Sequence, residues 1–383
     1  MKKYLLGSTA IAATLVSGAA MAEEPIKLSL GGYFQAYGIY QDNDAAALRS
    51  NYIAQRGRIS VSGSTTLDNG ITVGVYTQLR AGENADQNDS DGTVKRAYGF
   101  FEGSFGRVEI GSNDSAAMLM GYASPDPAPA AGVNSPNFYA NPGAGNLAGA
   151  LGSTPTTYQN WDGQNTKIAY FTPRIGGFQF GVSYTPDGCQ TGPSVGGGGC
   201  PGYGNAPSSV DAEQMSEVYS LGVNYTNTFG EVDTAVSATY QAGTLESSTG
   251  STAFEPFALK DRRSYSVGAN LGYKGFTFGT SMLHDNQGLD NSDVNAWDMG
   301  LKYTTGPWSA GVQYIESTRE NALVGVDGSA GDHSVRALMV GGGYALGPGI
   351  NLGAGYQVWS WDAPLPANRA EANMILVGTV LNF

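Results

Sequence analysis

Arg56, Arg58 and Arg80, followed by Lys95 and Arg96, fall in three successive stretches in which every second residue is apolar or small. In "NYIAQRGRISVSGSTTLDNG" one parity holds Ile59 and Val61, which sets Arg56, Arg58, Ser60, Ser62 and Ser64 on the other. In "ITVGVYTQLRAG" Ile71, Val73, Val75 and Leu79 oppose Tyr76, Gln78 and Arg80. In "VKRAYGFF" the parity is ambiguous, because either register brings Lys95 or Arg96 to the polar side. Alternate residues of a strand share a face. Three neighbouring strands would therefore place these cations on one wall at similar height. Guanidinium and ammonium groups so arranged attract and orient anions. The plainer alternative is that they pair with carboxylates from nearby loops.

Other reactive residue types are few. His284 in "SMLHDNQG" has Ser281 and Asp285 as neighbours along the chain. A hydrolytic centre needs a nucleophile within hydrogen-bond reach of the imidazole and a group orienting its other nitrogen. The parities of His284 and Asp285 are unlike, so the expected role of His284 is a polar residue near a strand end. His333 is expected in a loop with no role. Cys189 and Cys200, in "GCQTGPSVGGGGCPG", lie in one exposed segment and are expected to form a disulfide closing a short Gly-rich loop. Free thiols or a metal pair are the alternatives, with no His nearby to help. Asp86, Asp89 and Asp91 in "DQNDSD" alternate as calcium ligands do, but the Gly and distal Glu of an EF-hand loop are missing. A solvated acidic loop is the expectation there, with a Ca²⁺ bridge to lipopolysaccharide or a neighbouring subunit as the alternative. No other cofactor is implied. "VGGGGC" does not join a strand to a helix and is no phosphate loop.

The elements that must carry these residues repeat from end to end. Runs of about ten to fifteen residues of alternating polarity are punctuated by turn signals, as strands are. Short turns are expected at 67 to 70, 104 to 108, 173 to 178, 228 to 232, 273 to 276, 304 to 308 and 345 to 350. Longer polar segments lie near 42 to 51, 84 to 91, 113 to 162, 187 to 212, 245 to 259, 287 to 291, 320 to 330 and 362 to 369. Seven turns alternating with eight longer segments separate sixteen strands. Gly 56 and Tyr 22 in 383 residues agree with strands and tight turns rather than helices. In "GFQFGVSYT" Phe178, Phe180, Val182 and Tyr184 face one way, and such aromatics recur near strand ends.

An even number of antiparallel strands, short turns at one end and long loops at the other, is the layout of a transmembrane β-barrel. The fold class expected is all-β, a 16-stranded antiparallel transmembrane β-barrel. The C-terminal "ILVGTVLNF" completes the case. Ile375, Val377, Leu381 and Phe383 share one parity, and in a closed barrel that strand pairs with the first while its apolar face meets lipid. A sixteen-stranded barrel is too wide for side chains to fill and encloses an aqueous channel.

Residues 1–22 have the form of an export signal: Lys2 and Lys3, an apolar core, and Ala20-Met21-Ala22 before Glu23. The core is shorter than the roughly 20 residues of a spanning helix. Without the signal, 18 basic residues face 33 acidic ones, a net charge of -15, which excludes nucleic acid as a default partner. Residues 23–383 are expected to form a single barrel domain. The segment 113–162 is longer than a surface connection needs. It carries apolar anchors such as Met118, Leu119, Met120, Tyr122, Phe138 and Tyr139, with only Asp114, Asp126 and Asp162 as charges.

From "RGRISVSGSTTLDNGITVGVYTQLRAG" through "KRAYGFFEGSFGRVEIGSNDSA" to the terminal Phe383, the chain resembles the general diffusion porins of Gram-negative bacteria, above all those of α-proteobacteria. The likeness in layout covers the mature chain and is most specific from Gln55 to Ala116. It implies an outer-membrane homotrimer passing ions and small hydrophilic solutes, with the long third outer loop (113–162) folded into each pore as a constriction. It also implies that Phe383 is the barrel-assembly signal. Carried onto matching positions, it sets Arg56, Arg58, Arg80 and Lys95 as the basic wall against Asp114 and Asp126 of the loop. The loop is poorer in carboxylates than the family's pattern, so the sign of ion selectivity is open. Acidic segments such as "GENADQNDSDG" would gather cations at the mouth while the arginine arc favours anions deeper in. Net charge alone points to mild cation selectivity. A substrate-specific channel for sugars or anions would need a ladder of aromatic or basic residues, for which Trp359 and Trp361 are too little. The remaining alternative is an outer-membrane hydrolase built around His284.

Overall fold

The computed structural model describes residues 26–44, 49–82, 94–134, 155–188, 215–246, 259–320, 331–364 and 369–383. Sixteen strands run in chain order: β1 (Lys27–Asn43), β2 (Asn51–Thr66), β3 (Thr72–Arg80), β4 (Val94–Gly103), β5 (Gly106–Ser112), β6 (Thr166–Phe171), β7 (Phe178–Thr185), β8 (Met215–Phe229), β9 (Val232–Leu245), β10 (Arg262–Tyr273), β11 (Phe276–Asp285), β12 (Val294–Thr305), β13 (Trp308–Arg319), β14 (His333–Gly347), β15 (Ile350–Asp362) and β16 (Ala370–Asn382). The helix α1 (Ala116–Met120) lies between β5 and β6, opened by Ser115, whose hydroxyl accepts from the Met118 amide. Each strand pairs antiparallel with its sequence neighbours and β1 pairs with β16, so the sheet closes into a barrel. The seven short and eight long connections fall where the turn signals place them. His333 departs from expectation, being the first residue of β14 rather than part of a loop.

Closure removes the edge that the C-terminus would otherwise expose. Phe383 completes it, because its amide donates to Gly32 O at 3.0 Å and its carbonyl accepts from Gly32 N at 2.8 Å. Ile375, Val377 and Phe383 are exposed on the outward parity, with Val377 at 61%. Such exposure of branched apolar residues along every strand suits lipid, not water. Outward aromatics stand in two rows of cross-strand pairs. Near the short turns are Phe178 with Tyr225, Phe276 with Tyr303 and Trp308 with Tyr344; nearer the long loops are Tyr184 with Tyr219, Tyr265 with His284 and Trp297 with Tyr314. These rows match the interfacial girdles of a membrane barrel.

The inward parity is polar through most of the circumference, with Gln35, Arg58, Gln78, Asn224, Gln241, Asp298, Gln313 and Gln357 all buried. One arc differs. From β13 round to β1 apolar side chains join Gln313, Gln357, Gln35 and Gln41 on the inward face, and Tyr37, Ile39, Ile315, Met339, Trp359, Trp361, Met374 and Leu376 form one cluster with Ala128, Ala131 and Val133. Truncating a buried Met or Leu to Ala costs about 2–5 kcal/mol, so this inner cluster is a true core. Trp359 and Trp361 stack at 5.7 Å within it. They are packing residues here rather than rungs of a solute ladder.

Candidate functional site

Strand register decides what parity alone left open among the cations. Arg56 lies opposite Gln35, Arg58 opposite Arg80, and Arg96 opposite Gln78. The β3–β4 ladder then skips a residue, pairing Leu79 with Val94. A bulge sets two residues against one, so Lys95 is the extra residue. The choice between Lys95 and Arg96 dissolves: Arg96 keeps the polar parity, while Lys95 lies within electrostatic reach of Arg80, Arg96, Asp114 and Arg58. All five cations therefore gather on β2, β3 and β4. Arg58 is 1% exposed and donates to Gly57 O at 2.8 Å. Like charges directly opposed across a ladder, as Arg58 and Arg80 are, are unfavourable for folding.

The segment after β5 follows the wall residue by residue. Both of its ends meet at one ammonium: Lys167 Nζ of β6 donates to Asn113 O at 2.5 Å and Gly163 O at 3.1 Å, and lies 3.4 Å from Asp162 Oδ2. Next, Asp114 accepts from Arg96 Nε at 3.1 Å and Nη2 at 2.5 Å, and from Gln164 Nε2. Tyr122 N donates to Ser237 Oγ at 2.9 Å on β9. At β12 the wholly buried Asp298 accepts from Ser124 N (3.1 Å), Ser124 Oγ, Asn134 Nδ2 (2.8 Å) and Ser281 Oγ (2.5 Å). Gln313 Oε1 on β13 accepts from Val133 N at 2.7 Å, and Tyr37 donates to Pro129 O at 2.6 Å. The chain then returns over β11, β10 and β9. Here Thr157 bonds Ser281, Gln159 donates to Ser264, and Trp161 Nε1 donates to Ser264 at 2.9 Å. Burial, with the Asp126 and Asp298 carboxylates next in weight, pushes the Tyr158 phenol above the ordinary tyrosine range.

Close approach of this segment to the wall requires glycine. A Cβ on Gly268 would overlap the Tyr122 carbonyl; one on Gly279 would come to 2.9 Å of Ser124 Cα, and one on Gly343 to 2.6 Å of Pro129 Cδ. Gly222, Gly300 and Gly311 meet Met120, Ser124 and Pro127 in the same way. Sequence reasoning missed this track, although inward-parity glycine in strand after strand is a readable signal. It also missed Asp298 and Gln313, whose partners on the segment lie more than 150 residues away.

Of the expected acidic residues, Asp114 joins the cationic arc. Asp126 lies across the barrel beside β12, where Lys302 Nζ donates to its carbonyl at 2.8 Å. The arc itself lies on the inward faces of β2–β4 and meets the segment at Asp114. Cys189, Cys200, Asp86, Asp89 and Asp91 lie outside the described residues, as do residues 1–22. The His284 group comes apart, because Ser281 and Asp285 are inward and His284 is outward. Asp285 is bound by Arg262 at 2.6 Å, while His284 Nδ1 is 2.9 Å from Asn295 Oδ1. Ser281 and His284 cannot meet through the barrel wall.

A family model described as Gram-negative porin matches residues 7–360. Among solved structures, an anion-selective porin from Comamonas acidovorans is 16% identical, covers 94% of this chain and 100% of its own, and superposes with a TM-score of 0.62. The trimer form of OmpT, an outer membrane protein of Vibrio cholerae, is 12% identical over 93% of this chain and 99% of its own, with a TM-score of 0.59. Curated relatives are uncharacterised proteins of Rickettsia prowazekii, 24% identical over 255 residues (57% of each chain), and of Rickettsia felis, 23% identical over 261 residues (57% of this chain and 56% of that one). The chain thus spans little more than half the length of those relatives. With the closed sixteen-stranded barrel and a family match over most of its length, the chain belongs to the Gram-negative porin family.

Proposed function

We propose that the protein is an outer-membrane channel through which small hydrophilic solutes and ions diffuse passively, and that its narrowest part prefers anions. The constriction in this reading is the segment 113–162, whose described residues, 113–134 and 155–162, lie on the inward faces from β6 round to β1, with the passage for water beside the β2–β4 arc. The observation that carries the anion preference is a charge count. Arg56, Arg58, Arg80, Lys95 and Arg96 gather on three adjacent strands, while the segment has three carboxylates in all. Asp114 is held by Arg96, Asp162 by Lys167, and Asp126 lies across the barrel. Fixed cations on a low-dielectric wall focus potential into a narrow passage. The local arc therefore outweighs the net charge of the chain, whose carboxylates are spread over loops and screened within about 8–10 Å by salt. This replaces the mild cation selectivity that net charge alone suggested.

A homotrimer belongs to the same proposal. The outward aromatic pairs of the described residues lie between β7 and β14. Across β16 to β4 the outward face carries Ala36, Gly38, Gly57, Thr77, Ala97 and Gly99 among larger exposed residues such as Tyr40, Ile53, Ile59, Val75, Phe101, Ile375 and Val377. Small side chains over such an arc let a second copy approach closely. Structural Ca²⁺ at Asp86, Asp89 and Asp91, and assembly signalling by Phe383, remain proposals of the same kind.

The test is a planar-bilayer recording of single channels across a salt gradient, with wild type beside Arg58→Gln/Arg80→Gln. Stepwise currents with an anion-selective reversal potential that moves toward cations in the variant are expected. A cation-selective wild type, or a variant with the wild-type reversal potential, would overturn the anion reading. Absence of any conductance would overturn the channel.

A further inference from the structure

A second cationic group stands apart from the arc, at the long-loop end of the opposite wall. Arg262 begins β10 and Arg319 ends β13, both on the inward parity. Asp285, at the end of β11, is the carboxylate between them. Arg262 engages it through Nε at 3.1 and 3.2 Å and Nη2 at 2.6 Å, and the Gln287 amide donates to it at 2.8 Å. That leaves Arg319 over. Its Nε donates to the buried Ser292 hydroxyl at 3.0 Å, and among the described residues no carboxylate lies within ion-pair distance of it. Its two terminal nitrogens have no protein acceptor there. Arg319 is nonetheless half-buried and within electrostatic reach of both Arg262 and Asp285. Two guanidiniums against one carboxylate leave a net positive charge held in place on rigid strand ends.

The support beneath this pair is built rather than incidental. Arg262 lies over the Trp161 ring at 4.9 Å, and Trp161 is itself held by Ser264. Cation–π stacking orients a guanidinium plane without using its outward edge. Ser292 does the same for Arg319 by taking only Nε. The free edge of a guanidinium is a two-donor fork that matches a carboxylate or phosphate.

We infer that Arg319, with Arg262 behind it, is a mouth-side docking station for small multivalent oxyanions, which captures them before they reach the β2–β4 arc. The inference rests on the anion reading of the constriction and gives it a specificity element of its own. It answers a physical difficulty of that reading, because acidic stretches in the long-loop sequences repel anions from the entrance. A fixed positive site at the inner edge of the mouth restores their local concentration. Steering of this kind acts on the capture rate and fades with ionic strength. It leaves the relative permeability of chloride and potassium at the constriction unchanged.

The experiment uses the full-length protein in planar bilayers in potassium chloride, with citrate and then inorganic phosphate added to each compartment in turn. The wild type is expected to show brief blocks whose on-rate is higher from the long-loop side for both anions. Arg319→Gln should lower that on-rate about tenfold, within the 10- to 1000-fold range of electrostatic steering, while the off-side rate and the reversal potential stay at wild-type values. Arg319→Lys, which keeps the charge but not the fork, should recover part of the rate. Unit conductance in chloride and heat-modifiable mobility report that each variant is folded. An Arg319→Gln channel with wild-type citrate and phosphate on-rates, in a wild type that is anion-selective, overturns the station and leaves the channel proposal standing. A cation-selective wild type overturns the anion reading, and the station with it.

Discussion

Asp298 is a buried carboxylate on which the long segment after β5 is held, and removing it should loosen that segment without unfolding the barrel. It accepts four hydrogen bonds, from Ser124 N, Ser124 Oγ, Asn134 Nδ2 and Ser281 Oγ. In Asp298→Ala the Ser124 amide and the Asn134 amide group lose this acceptor in a buried place. Each such loss costs about 1–3 kcal/mol, so the seat of the segment weakens by about 4 kcal/mol in all. That corresponds to a local opening equilibrium raised by about three powers of ten. The strand ladders on either side of Asp298 are backbone bonds and stay as they are. Asp298→Asn keeps the shape and one acceptor oxygen and should fall between wild type and Ala. Single-channel recording reads the outcome as higher conductance and greater open-channel noise, in the order wild type, Asn, Ala, with heat-modifiable mobility unchanged. An Ala variant that is folded but has wild-type conductance and noise would refute the idea that this segment narrows the channel and that Asp298 seats it.

Three more outcomes follow from particular contacts. Gly268→Val should displace Tyr122 from the β10 wall, because the new Cβ overlaps the Tyr122 carbonyl; altered conductance in a folded barrel is expected, and a wild-type trace would count against the glycine track. Deleting Phe383 removes both backbone bonds to Gly32, and the yield of heat-modifiable barrel in outer-membrane fractions should fall several-fold. His284→Ala, on the outward face away from Ser281, should leave conductance and selectivity within error of wild type in the same bilayer recording.

How much of this was legible beforehand differs from residue to residue. Strand number, connection lengths and the parity of Ile59, Val75, Phe180 and Val377 follow from a period of two, which lipid on one side and water on the other impose directly on the order of residues. The presence of a cationic wall on β2 to β4 followed from the same parity. The sharing of that wall by Lys95 and Arg96 did not, because a bulge depends on how two strands settle against each other. Net charge, read alone, favoured cations. A sum over the chain carries no information on where charges stand, and position decides the field in a narrow passage.

What the sequence by itself determined is the barrel: its closure through "ILVGTVLNF", its sixteen strands and the sides of its wall, all of which are local alternation repeated. Only the tertiary structure decided which inward residues serve as wall, core or seat. Trp359 and Met374 became an inner core because Ala128 and Val133 come to rest on them. Asp298 and Gln313 became anchors because a segment more than 150 residues away returns to them. Arg319 stood apart because Asp285 was taken by Arg262. Each of these depends on contacts between positions far apart in the chain, and hydrogen-bond geometry at about 3 Å selects among partners that composition and spacing treat as equal.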